Sequence, residues 1–523
     1  MMGCTPNATF SFALFGVLVG LIVSSPVSAV SCQRAGDTIM ANGFEQSPQQ
    51  AFYVATNGSN AGQGSATAPW KTIQYAVDTV AAGDLICVRG GVYNELVTIT
   101  QSGSAQAGPI LLQSVPGETA VIDGTGLPIP DGQYGLLTLI DASWITVQGL
   151  ELRNYSTAST ANVPIGLYVT GAGTQIRLIG NHIHDIHTTA NGCAANAFGL
   201  KVDGTRAPQS INQLSIHGNE IHDLTLGCSE SFSLDGNVEN WEISANRVYD
   251  TNNIAIGAIG FEGIAPNPAF DQARDGAIRE NTIYNISSFG NPAYGNEYAA
   301  DGIYVDGGTR ILIERNLVHH ADIGIEVASE HAGRTSSDVI VRNNIVHSGN
   351  SAGISIGGYD SSVGGSLRVD IIGNTLFRND QANTGSGEFQ IQYHATENRF
   401  INNIVHAGTA GYLVNAFTTD SSLPVELDEN LYWLDAGGQA AWVWQGVEYA
   451  SLAAWRSASG QDANALFDDP EFLAPAGFDL RVQPGSPAVN TGINLGAGVV
   501  GTSDFAGNLR VMGGAIDIGA HER

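Results

Sequence analysis

The sequence predicts an all-β solenoid, a parallel β-helix, on three observations. First, a short motif recurs: Asn-x-apolar followed by His, Tyr or Phe. It reads "NHIHD" at Asn181, "NEIHD" at Asn219, "NRVYD" at Asn246 and "NTIYN" at Asn281, then "NLVHH" at Asn316, "NIVHS" at Asn344, "NTLFR" at Asn374 and "NIVHA" at Asn403, with a weaker "NLYW" at Asn430. Successive copies lie 27 to 38 residues apart. Second, a Gly-apolar-x-apolar strand falls between the copies, as "GLYV" at Gly166, "GLKV" at Gly199, "GIYV" at Gly302, "GIEV" at Gly324 and "GISI" at Gly353. Third, no long helical periodicity separates these short alternating strands, which argues against strand-helix-strand units. Strands of one type then stack from coil to coil about 4.8 Å apart.

Residues 1–29 read as an export signal. The apolar run "FSFALFGVLVGLIV" (Phe10 to Val23) is too short for an integral membrane span, and small residues precede a cut after Ala29. No Lys or Arg precedes the run, a departure from the usual pattern. "AVSC" before Cys32 vaguely resembles a lipoprotein cleavage site, with a poor first position. Residues 30–50 read as a linker and contain "GDTIMANGFE" (Gly36 to Glu45), which looks like a short acidic motif near the termini of exported proteins. Export leaves Cys32, Cys87, Cys193 and Cys228, an even number that permits disulfides. Cys193 and Cys228 follow equivalent motifs in successive repeats, which makes them a candidate pair; two separate thiols are the alternative.

Residues 51–433 form the expected β-helix. "PWKTIQYAVDTV" (Pro69 to Val80) sets Ile73, Ala76, Val77 and Val80 on one helical face, a plug for the open N-terminal end. The Asn of each repeat suits a turn because its amide can bond the same residue one coil above and below. Residues 434–523 are turn-rich and read as a C-terminal cap or anchor. The cap, opening strands and Asn turns resemble secreted right-handed parallel β-helix proteins of the pectin-lyase-like superfamily, over roughly residues 51–433. The right-handed sense comes from that resemblance, which implies a fold more than a reaction.

The composition narrows the partners. The chain carries 21 Lys and Arg against 50 Asp and Glu, a formal net charge of -29, which argues against nucleic acid or an anionic membrane surface. The expected partner is a poly- or oligosaccharide. The protein is expected to be secreted or at the cell surface, and monomeric.

Alternation sends every second strand residue outward. Aligned on the Gly motif, one outward column holds Tyr168, Lys201, Ser233, Gly257, Tyr304, Glu326, Ser355 and Gln390. The next, two residues on, holds Thr170, Asp203, Asp235, Ile259, Asp306, Ala328, Gly357 and Gln392. Asp306 and Glu326 fall on adjacent coils as diagonal neighbours about 7 Å apart, a spacing that permits glycoside hydrolysis. Glu326 is the expected acid and Asp306 its partner, with Glu262 and Asp301 as rivals. Lys201, Tyr304, Glu330, His331, Tyr359 and Asp360 are candidate substrate contacts, and Tyr294, Tyr298, Tyr304 and Tyr359 candidate stacking surfaces. Asp203 and Asp235 sit about 5 Å apart and need a cation, a shared proton or a basic neighbour. They are Ca²⁺ ligands if the protein is a polysaccharide lyase, with Lys201 as base; a hydrolase needs no cofactor.

Ordinary readings stand beside these. Asp203 and Asp306 precede Gly and suit turns, Glu326 suits a solvated strand face, and Glu262 and His331 suit a loop. The repeated His184, His222, His319, His347 and His406 read as structural stacks, because their regular recurrence argues against a metal site. Three functions are in play: a glycoside hydrolase, a Ca²⁺-assisted polysaccharide lyase or epimerase, and a non-catalytic surface β-helix.

Overall fold

The computed structural model describes Cys32 and residues 50–420, 425–512 and 515–523. The export signal and nearly all of the linker, including "GDTIMANGFE", lie outside the described residues. From Ala51 onward the chain winds into a right-handed parallel β-helix. One coil shows the plan: strand Asp301–Asp306, strand Thr309–Glu314, strand Leu317–Ala321, then Ile323–Ala328 beneath the first. Like strands pair in parallel with like on the next coil, giving three columns of strands.

A buried Asn ladder holds the corner between the second and third strands. The Nδ2 of Asn181 donates to Oδ1 of Asn219, and the pattern repeats through Asn246, Asn281, Asn316, Asn344, Asn374, Asn403 and Asn430, at 2.9 to 3.2 Å. Each backbone N–H donates to the same oxygen, as at Asn281 to Asn316 (3.0 Å), and each Nδ2 also reaches a carbonyl, as at Asn281 to Ile243 (3.1 Å). Every amide group is thereby satisfied inside a dry corner, where an unpaired one is costly. The ladder ends on Asp462, whose carboxylate accepts from Asn430, Tyr432 and Trp455.

The Gly of the second motif has an equally physical cause. A Cβ on Gly302 would lie 2.4 Å from Val318 Cγ1 and 2.7 Å from the Gly324 carbonyl, and one on Gly324 2.2 Å from Val346 Cγ1. The chain turns inward there, against core and next coil together, so only hydrogen fits. This inward turn also breaks the strict alternation of the strand.

Outside the corner, rings stack coil on coil: His184, His222, Tyr249, Tyr284, His319, His347 and Phe478, with centroids 4.2 to 5.2 Å apart. His406 departs from this stack, meeting Phe377 edge-on and Asp435 at 3.1 Å.

The ends are closed. Helix Ile73–Thr79 buries Ile73, Ala76 and Val77 over the first coils, capped by Thr72. Cys32 is bonded to Cys87 and Cys193 to Cys228, so Cys32 has no thiol left for a lipid. Coiling runs past the boundary expected at 433: Ala441–Trp444 still pairs in parallel with Tyr412–Ala416, and Leu466–Phe467 with Leu431–Leu434. Irregular turn spacing hid these last strands. Helix Leu452–Ser459 then sets Trp455 edge-on against Trp444 over the end of the core. The final stretch folds back along the flank, where Asn343 and Asn402 donate to the carbonyls of Val500 and Ile493, and buried Arg510 pairs with Glu522 at 2.6 Å.

The ladder gives a direct test. Asn281→Ala strips Asn246 N–H and the Ile243 carbonyl of partners, at about 1–3 kcal/mol for each buried group left unpaired. A loss of about 3 kcal/mol is expected in urea unfolding; a change within about 0.5 kcal/mol contradicts the ladder's role.

Candidate active site

The register of the first strand column reproduces the first predicted outward column throughout, and the second from Thr170 to Asp235 and from Ile259 to Ala328. Tyr168 pairs with Lys201, Lys201 with Ser233, Ser233 with Gly257, Gly257 with Tyr304, Tyr304 with Glu326, Glu326 with Ser355 and Ser355 with Gln390. Asp203 pairs with Asp235, Ile259 with Asp306 and Asp306 with Ala328. The two columns lie side by side on one lateral face of the β-helix. The loops after these strands, carrying Glu262, Glu330, His331 and Tyr359, and the loops before them, carrying Glu230, Phe289, Tyr294 and Tyr298, wall this face.

This floor is buried rather than solvated. Lys201, Asp203, Asp235, Asp301, Tyr304, Asp306 and Glu326 are each at most 8% exposed. The walls fold over the strands, which converts ordinary surface acids into desolvated ones. Burial pushes Asp306 up to about 8, and the charges of Glu330, Glu262 and Glu230 add to it against a hydrogen bond from Glu330 N (2.8 Å). Burial pushes Glu326 up to about 7, opposed by hydrogen bonds from Ser355 Oγ (2.9 Å) and Gln392 Nε2 (3.1 Å). Asp301 is held well above the carboxylate range by burial, then by Glu326 and Asp322.

The structure regroups the expected pair. Asp306 and Glu326 are diagonal neighbours in the register, as read from the sequence. The charge that most affects Asp301 is nevertheless Glu326, while Asp306 shares its space with Glu262 and His331. His331 Nε2 lies 3.2 Å from Glu262 Oε1, and one donor atom from each of Glu262, Asp306 and His331 falls within 4.8 Å of the others. Glu330 accepts from the Tyr304 hydroxyl at 3.2 Å.

Tyr304 is therefore a buried part of the floor and offers no stacking face, because Ile254 and Ala328 pack against it. Tyr298 stacks on Phe289, and Tyr294 accepts from Asn253, while Tyr359 stays 59% exposed. Asp360 stands apart from the acids, since its Oδ1 caps its own turn through Ser362 N and Oγ.

At the N-terminal end of the groove, Lys201 Nζ sits 3.2 Å from Asp203 Oδ2 and 2.8 Å from Gln133 Oε1, and the Tyr168 hydroxyl donates to Asp203 Oδ2 at 2.8 Å. Burial pushes Asp235 up to about 8, with Lys201 opposing and Asp203 adding. Asp203 Oδ1, Ser233 Oγ and Asp235 Oδ1 are buried without a hydrogen-bond partner. These three oxygens suit a hard cation such as Ca²⁺ by type, and supply three of the six to eight ligands it takes.

Glu230 was missed by sequence reading. Burial pushes it up to about 7, and its Cγ lies 3.2 Å from where a Cβ on Gly257 would sit. The gap that Gly257 leaves in the column is where Glu230 lies. The signal was the glycine itself, in a column otherwise filled by side chains.

Known proteins share this architecture. Residues 52–219 match the family model for a Pel9A-like right-handed β-helix region. The chain is 35% identical over 469 residues to the uncharacterized protein YwoF of Bacillus subtilis (strain 168), covering 90% of this chain and 98% of that one. It is 32% identical over 171 residues to pectate lyase PEL9 of Emericella nidulans, covering 32% of this chain and 39% of that one. Among solved structures, a GH136 lacto-N-biosidase from Eubacterium ramulus superposes with a TM-score of 0.56 at 15% identity, over 74% of this chain and 68% of that one. XylC in complex with xylose gives 0.52 at 12% identity, over 90% and 98%. Fold and matches together define a pectin-lyase-like right-handed parallel β-helix protein. Within that superfamily, the chain belongs to one family with YwoF.

The raised carboxyls carry a stability signature. A carboxyl whose folded value exceeds its unfolded value near 4 adds stability that is full below that value and is lost as pH rises through the folded value. Asp235, Asp306 and Glu326 all act in this sense, so Tm should fall between pH 5 and pH 8.5. The Asp306→Asn/Glu326→Gln double variant should flatten that slope; an unchanged slope contradicts the burial assignment.

Proposed function

We propose that the protein is an extracellular glycoside hydrolase that cleaves a poly- or oligosaccharide in the lateral groove. The observation carrying this reading is the row of desolvated carboxyls, with Asp306 pushed up to about 8 and Glu326 to about 7, where two side-chain hydrogen bonds oppose the rise. Asp306, pushed up to about 8, is the general acid toward the leaving oxygen. Glu326 accepts two side-chain hydrogen bonds that favour its anion, and it serves as base or nucleophile. This reverses the roles expected from sequence. Burial and the charge of Glu326 favour the neutral form of Asp301 beside it, which limits the charge of the pair. The two disulfides support an oxidising, extracellular setting. No helix among the described residues is long and apolar enough to cross a membrane.

A second reading rests on Lys201. Its contact with Asp203, the unpartnered oxygens of Asp203 and Asp235, the Pel9A-like family model over residues 52–219, and the similarity to a pectate lyase over 171 residues favour a polysaccharide lyase. Asp203 and Asp235 would then hold Ca²⁺, which would neutralise a uronate carboxylate, and Lys201 would take the C5 proton.

Digestion of a glycan panel read by mass spectrometry separates the two. Hydrolysis adds one water per bond cut. Elimination gives an unsaturated, ultraviolet-absorbing product that chelation abolishes and Lys201→Ala removes. The hydrolase reading predicts a loss of about 10²–10⁴-fold in kcat/KM for Asp306→Asn and for Glu326→Gln. It also predicts a bell-shaped kcat/KM profile, falling below about pH 7 as Glu326 gains a proton and above about pH 8 as Asp306 loses one. Near-full activity of both variants contradicts it.

A further inference from the structure

The third strand column, away from the groove, carries a second cluster of chemistry-bearing side chains. Two outward positions, two residues apart, run along it. On three successive coils they hold Glu151 and Arg153, His182 and His184, then Glu220 and His222. One donor atom from each of Glu151, His182 and His184 lies within 4.8 Å of the others. His182 Nε2 faces His222 Nε2 at 2.6 Å, and His184 Nε2 faces Glu151 Oε1 at 3.4 Å. Two imidazole nitrogens this close need a proton or a cation between them, because two lone pairs repel.

The far sides of two of the rings are already anchored. His184 Nδ1 bonds Asp185 Oδ2 at 2.7 Å, and His222 Nδ1 bonds Asp223 Oδ2 at 2.8 Å. A carboxylate on one ring nitrogen fixes the tautomer and aims the other nitrogen outward as a free ligand, the usual support of a metal-bound histidine. Arg153 Nη1 holds Glu151 Oε1 at 2.6 Å and steadies that carboxylate as well. Glu220 turns away, accepting from Arg247 and Tyr249.

We propose that Glu151, His182 and His184 bind one divalent transition metal of the zinc class, clamping strands Leu150–Thr157 and His182–Thr188, with His222 packed against His182 from the next coil. Two imidazoles and one carboxylate are a donor set that selects such a metal over Ca²⁺ or Mg²⁺, which prefer oxygen, and they leave a fourth position for water. The ring stack continues beyond this point with Tyr249 and Tyr284, which cannot ligate in this way. The recurrence that reads as purely structural therefore holds for the later coils and not for the first.

The test uses tag-free full-length protein stripped with chelator, with Zn²⁺ and Ca²⁺ titrated separately by calorimetry. One Zn²⁺ per chain is expected, with Ca²⁺ giving no binding here. His182→Gln and His184→Gln should each weaken Zn²⁺ at least tenfold and abolish its effect on Tm. His347→Gln, farther along the same stack, should leave both unchanged. Retained Zn²⁺ binding in the His182→Gln/His184→Gln variant, or no saturable binding by a folded wild-type protein, overturns the proposal.

Discussion

Everything in this molecule depends on register, and the buried Asn ladder fixes it. A parallel strand slipped by one residue would turn every core side chain outward. Nine asparagines, each bonded to the next at one corner, make such a slip expensive in unpaired buried amides. The ladder therefore sets which side chains share a column. The groove, the ring stack and the histidine cluster are all column properties.

The same rigidity lets the groove sustain what a soluble surface would not. Asp203, Asp235, Asp301, Asp306 and Glu326 lie within a few coils of one another, with Lys201 the one lysine on that floor. At Asp235, Asp301, Asp306 and Glu326, burial and mutual repulsion both favour the neutral acid, which reduces the need for counter-ions. Perturbed carboxyls gathered in one cleft are what acid-base catalysis needs.

Much of this was legible in the sequence, for a simple reason. Period-2 alternation and a fixed Asn turn are local signals, and stacking the repeats on them placed Tyr304 beside Glu326 and Asp203 beside Asp235 in the observed register. What was not legible lies outside the repeat. The wall loops differ in length and composition, so nothing in the alternation says that they cover the floor and bury Asp306. Glu230 comes from such a loop, in a coil where Ser231 replaces the usual glycine. Asp301 was hard to place because Gly302 turns inward against Val318 and breaks the alternation, bringing Asp301 to the side of Glu326. The histidine cluster was obscured by its own regularity, because Nδ1 and Nε2 look alike in a repeat and differ only through Asp185 and Asp223.

The central claim is that the buried carboxyl row is where a sugar chain is held and cut. The most direct measurement is a crystal structure of the Asp306→Asn variant soaked with an oligosaccharide identified from the panel digestion. The account predicts a sugar chain along the first strand column, one glycosidic oxygen within hydrogen-bond reach of residue 306 and an anomeric carbon facing Glu326. A chain bound on another face, or centred on Lys201 with no glycosidic oxygen near residue 306, would contradict it.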